Sequence, residues 1–139
     1  MVDSARVLWV DLRLDPAIEG SWQQLARGHA VQRVLRAAAL EQAIAAQRPH
    51  VIVFEYDLPD CARLAALQTT KLRHPSTPLI MLTEQHNESL AVWAFRSRVW
   101  DYLVQPVDHG ALSEQIARLA QVTAWRDATG RRNNACPPP

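Results

Sequence analysis

Lysine is almost missing from this chain: of 15 basic residues, 14 are arginine and one, Lys71, is lysine. Any chemistry that needs a lysine at another position is excluded by that inventory. Glycine is nearly as scarce, with Gly20, Gly28, Gly110 and Gly130 the only four. Their spacing supplies neither a GxGxxG turn nor a phosphate-cradling loop, both of which need clustered glycines so that phosphate can approach backbone N–H groups. The two cysteines, Cys61 and Cys136, lie 75 positions apart. Neither has a His or a second Cys at zinc-ligand spacing, so free thiols in a reducing compartment are expected. No run approaches the ~20 apolar residues of a membrane span, and Asp3 and Arg6 break up the N-terminal apolar pairs. A cytoplasmic chain with no membrane partner is expected. A dominant sign of charge is also absent, since 15 basic and 14 acidic residues leave a net charge of +1. No field draws the domain onto nucleic acid, and Arg131-Arg132 is too short a basic run to argue for DNA contact.

What is present is enough apolar material, 48% of 139 residues, to bury one core without staples. Short β-branched runs recur between longer Ala-, Leu- and Arg-rich stretches at helical spacing. Strands are expected at 6–11, 29–35, 50–55, 79–83 and 99–104, and helices at 16–27, 40–47, 60–73, 87–97 and 108–125. Asp15 before Pro16, Asn87 and Asp108 are expected helix caps, and Pro49, Pro75 and Pro78 break the chain ahead of strands. The continuous apolar run 51–54 suits a parallel strand covered on both faces. The pattern is a doubly wound α/β domain over residues 1–127. The polar, Pro-rich stretch 128–139 reads as a tail or linker.

In such a sheet ligands sit beyond the carboxyl ends of the strands, where the winding reverses. The residues there are Asp11, Glu55, Thr83 and Gln105, the last followed by Pro106. The segments around them, PHVIVFEYDLPD (49–60), PLIMLTE (78–84) and WDYLVQP (100–106), resemble the receiver domain of two-component response regulators over residues 6–125. The resemblance implies a flavodoxin-like (βα)5 three-layer sandwich with parallel strand order 2-1-3-4-5. It also implies roles: two acids after the first strand bind Mg2+, an Asp ending the third accepts a phosphoryl group, a Thr or Ser ending the fourth hydrogen-bonds it, and a Lys before Pro contacts its charge. Thr83 matches, as does Tyr102 at the switch aromatic.

Three positions depart from the pattern. Asp11 is followed by Leu12 where the second acid belongs, Glu55 stands four residues before Pro59 in place of Asp, and Gln105 replaces the Lys. Mg2+ wants near-octahedral oxygen ligands and dehydrates reluctantly, so an apolar Leu12 in place of a carboxylate weakens its site. The extra methylene of Glu55 moves its oxygens by about a bond length, and a ~1 Å misplacement can cost on the order of 100-fold in rate. Losing the Lys removes electrostatic stabilisation from a developing dianion. A phosphorylation-independent pseudo-receiver without enzymatic activity is expected, with no cofactor. Asp57 as the acceptor in a slid register, or Asp11, Glu55 and Asp57 together holding Mg2+, are the alternatives. Glu55 is read either as a standing mimic of the activated state, with Gln105 donating to it, or as the relic of a decayed pocket.

Function then passes to a surface. The family docks or dimerises through its fourth helix, fifth strand and fifth helix, here carrying Trp93, Arg96, Arg98, Trp100 and Asp101, with Glu114 and Arg118 on the last helix. Trp and Arg are enriched at interface hot spots, and Asp101 with Arg118 is a candidate inter-subunit ion pair of a homodimer. The resemblance implies an attached output domain, most simply that of a DNA-binding transcriptional regulator; a stand-alone protein-binding adaptor is the other reading. Trp9, Trp22 and Trp125 are expected to be packing residues, and the five scattered histidines surface or satisfied groups.

Overall fold

Short apolar runs rich in β-branched residues become strands, and the stretches between them become crossover helices. The computed structural model describes residues 4–12, 20–56, 61–84 and 86–132. Among these residues the elements are β1 (Arg6–Asp11), α1 (Ser21–Leu25), β2 (Ala30–Val34), α2 (Leu40–Gln47), β3 (Val51–Tyr56), α3 (Cys61–Arg73), β4 (Leu79–Thr83), α4 (Glu88–Arg96), β5 (Asp101–Val104) and α5 (His109–Arg132). A single 3-10 turn, Ala37–Ala39, leads into α2. All strand pairs are parallel and the sheet order is β2-β1-β3-β4-β5, the doubly wound topology expected.

The sheet splits the core into two layers, as period-two alternation requires. Leu8, Val10, Ile52, Phe54, Tyr56 and Met81 pack with α2, α3 and α4, against Leu40, Ile44, Leu67 and Leu90. Val7, Trp9, Val51, Val53, Ile80 and Leu82 pack with α1 and α5, against Leu25, Leu112, Ile116 and Leu119. The central strands β3 and β4 are buried at every position. The edge strands are not, and β2 alternates between exposed and covered residues.

Two of the expected caps form. Asn87 Oδ1 accepts from the Leu90 N–H at 3.0 Å, and Asp108 Oδ1 accepts from the Gly110 and Ala111 N–H groups at 2.9 and 3.2 Å. The third, Asp15 with Pro16, lies outside the described residues. Below β1, Ala5 N–H donates to His29 Nδ1 at 2.9 Å and Arg6 N–H donates to His50 Nδ1 at 3.0 Å. Both imidazoles are buried and satisfied.

Two expectations need correction. The helix expected to end at 125 runs on to Arg132, so residues 128–132, assigned to the tail, continue α5. Ala128, Arg131 and Arg132 favour helix enough to carry it past Gly130. Trp125 is 66% exposed rather than packed; among the α5 residues whose burial is described, the last buried one is Ala120.

Candidate functional site at the carboxyl ends of the strands

The parallel register sets the site. Asp11 lies beside Glu55 on neighbouring strands, Tyr56 lies beside Thr83, and the Gln105 N–H continues the ladder to the Thr83 carbonyl at 2.8 Å. Asp11, Glu55 and Thr83 are 0%, 7% and 2% exposed. Glu55 continues the Val51, Val53 series, so its side chain falls on the α1 and α5 side of the sheet. There the Trp9 indole N–H donates to Glu55 Oε1 at 2.7 Å, a buried bond to a carboxylate. A buried indole seeks a partner of this kind, and a buried carboxylate needs one.

Asp11 is reached on the same face from neighbouring β2 by Arg33, whose guanidinium nitrogen stands 3.5 Å from Oδ2. The same guanidinium lies over the Trp22 ring, 4.5 Å from its centroid. Gln105 turns toward α1: its side-chain oxygen accepts from Ser21 Oγ at 3.2 Å, and His109 Nε2 approaches the same hydroxyl at 3.2 Å. Among the described contacts none joins Gln105 to Glu55. Leu12 is half-buried against the α2, α3, α4 layer and brings no oxygen to the site. Asp57 lies outside the described residues.

The family model of the response regulator receiver domain matches residues 15–117. The chain belongs to this family. Among its relatives, the DNA-binding transcriptional regulator NtrC of Escherichia coli K12 is 29% identical over 132 residues, covering 94% of this chain and 26% of NtrC. The receiver thus spans about a quarter of the length of that curated relative. Among solved structures, the BeF3-activated DrrB receiver domain superposes with a TM-score of 0.68 at 21% identity, over 85% of this chain and 98% of that one. NtrX from Brucella abortus superposes with a TM-score of 0.74 at 23% identity, over 96% of this chain and 30% of that one.

In this receiver the residues described at the strand ends do not fit the family's Mg2+. One acid position is Leu12, Asp11 is fully buried and ion-paired with Arg33, and Glu55 is bonded to Trp9. No group of three or more His, Cys, Asp or Glu that could hold a metal occurs among the described residues. Nor does any described helix have the length and apolarity to cross a membrane.

The surface candidates separate in space. Trp93 is half-buried against the core rather than standing out as an anchor. Tyr102 is half-buried, edge-on to His86 at 6.0 Å, and its hydroxyl accepts from the Asn87 N–H at 3.3 Å. Asp101 Oδ2 accepts from Gln115 Nε2 at 2.9 Å within the chain. Glu114 and Arg118 are exposed on α5. Arg96, Arg98 and the half-exposed Trp100 line a groove of about 480 Å3 with Lys71 and Leu72, at the opposite end of the sheet from Glu55.

Sequence reasoning missed the two partners, Trp9 and Arg33. The signals were there: a Trp two residues before Asp11, hence on the same face, and a lone Arg inside the strand AVQRV.

Proposed function

We propose that this receiver works without accepting a phosphoryl group, as a cytoplasmic, non-enzymatic regulatory module of a longer transcriptional regulator whose DNA contacts lie in other parts of the protein. The observation that carries the reading is the Trp9–Glu55 bond: the side chain at the acceptor position is 7% exposed, with one oxygen engaged by a buried indole. Nucleophilic attack on a phosphoryl donor needs that carboxylate aligned at the pocket mouth. Engagement with Trp9 also favours a structural role for Glu55 over a standing imitation of phosphoryl charge. The membership in a longer protein is supported by NtrC, of which this chain spans 26%. Incubation with acetyl phosphate and Mg2+ is expected to leave the intact mass unchanged; a Mg2+-dependent phosphoryl adduct on Glu55 or Asp57 overturns the reading.

Output then runs through the α4-β5-α5 face as a homodimer contact. Exposed Arg118 and half-buried Asp101 supply opposite charges there. Arg118→Glu is expected to weaken the dimer about tenfold in sedimentation equilibrium, and the swap Asp101→Arg/Arg118→Glu to recover most of it. Unchanged association in both variants removes this face.

A further inference from the structure

The geometry points to Arg33 as the cation of this pocket, a tethered side chain that balances the strand-end acid where the family uses a divalent ion. The inference rests on the phosphorylation-independent reading and gives it a physical cause. Asp11 has a side chain 0% exposed, and an ionised carboxylate that deep demands a counter-charge. Arg33, 19% exposed, stands 3.5 Å from it.

Three features fix the guanidinium there. Arg33 is paired in register with Trp9, so alternation puts its side chain on the face that carries Asp11 and Glu55. Trp22 of α1 supplies a ring beneath it at 4.5 Å, a cation–π contact made more often by the weakly hydrated guanidinium than by an ammonium. Its attachment to β2 means that no ion has to be captured from solution and stripped of water. The Asp11–Arg33 pair carries no net charge, so Mg2+ approaching it finds a neutralised carboxylate, a neighbouring positive guanidinium, and Leu12 in place of the second acid. Mg2+ gives up its water reluctantly and is usually held through one or two carboxylates. Leu12 at the second acid position and Arg33 beside the first thus act together against a divalent ion.

The test is a Mg2+ titration followed by tryptophan fluorescence, since Trp9 and Trp22 both border the site, together with thermal melting. The chains compared are the wild type, Leu12→Asp, Arg33→Met and Leu12→Asp/Arg33→Met. Millimolar Mg2+ is expected to leave the wild type and Leu12→Asp unmoved. The double variant is expected to show a saturable fluorescence change and a rise in melting temperature. Arg33→Met alone is expected to melt several degrees lower, because Asp11 loses the Arg33 charge. Should Arg33→Met fail to fold, Arg33→Gln, which keeps a donor for Asp11 without the charge, takes its place in both chains. Equal Mg2+ binding by Leu12→Asp and the double variant overturns the inference, as does binding by the wild type. The two readings fail separately: a phosphoryl adduct on Asp57 ends the functional reading, whereas the binding order of the four chains decides the role of Arg33.

Discussion

Trp9→Ala is expected to cost about 3–5 kcal/mol in urea unfolding, the usual penalty for emptying a large buried aromatic site. That is a large part of the 5–15 kcal/mol that holds a domain of this size together. The ring is 0% exposed and packs in the layer with Leu25, Val53 and Ile116, so nothing nearby can collapse into the space without moving a helix off the sheet. A second variant separates packing from hydrogen bonding. Trp9→Phe keeps most of the ring but leaves Glu55 Oε1 without the indole donor at 2.7 Å. A bond to a charged acceptor is worth about 1.5–3 kcal/mol, on top of what the indole-to-phenyl swap alone costs in packing. Trp9→Phe is therefore expected to lose more than the swap alone, and Trp9→Phe/Glu55→Leu to lose less than the two single losses added. A strictly additive cycle shows that the bond contributes nothing to stability.

The fold was legible because its signals are local. The bounds of β1 and β4 follow from short apolar runs closed by Asp11 and Thr83. The edge strands are shorter than the sequence pattern predicts, with β2 at Ala30–Val34 and β5 at Asp101–Val104. Val99, expected in β5, belongs to the turn that closes α4: Arg98 adopts a left-handed φ of 62° and the Val99 N–H returns to the Ala94 carbonyl at 3.1 Å. Nothing in an apolar Val before a Trp announces that turn. The site was half legible for a related reason. Asp11, Glu55, Thr83 and Gln105 are found by counting to the carboxyl ends of strands, which sequence order allows. Their partners lie across the sheet or the helix layer: Trp9 is 46 residues from Glu55, and Ser21 is 84 from Gln105. Only the parallel register places Trp9 and Glu55 on one face and brings Arg33 alongside. Asp101 illustrates the same limit, since its opposite number within the chain is Gln115, 14 residues on, and the sequence offers several equally suitable polar residues on α5.

Stability is expected to fall on acidification through His29, more steeply than in a His29→Gln variant. Burial holds this imidazole below its ordinary value of 6.5, against a smaller upward pull from Ser113. The neutral ring accepts the Ala5 N–H at Nδ1, so its proton sits on Nε2, facing Ser113 Oγ at 2.9 Å. Protonation would convert that acceptor into a donor pointing at an N–H. Because the folded-state value is depressed, the unfolded chain binds the proton more readily. The contribution is therefore fully present above pH 6.5 and is lost as pH falls from there through the lowered folded value. His29→Gln keeps a polar group but no titration, so its stability is expected to be flatter between pH 7 and 5. His50, which accepts the Arg6 N–H, is present in both chains, so the comparison isolates His29. At neutral pH, His29→Leu is expected to cost about 1–3 kcal/mol, because the Ala5 N–H loses its acceptor at the root of β1. Parallel pH profiles for the wild type and His29→Gln in urea unfolding would show that the imidazole is not what ties β1 to α5.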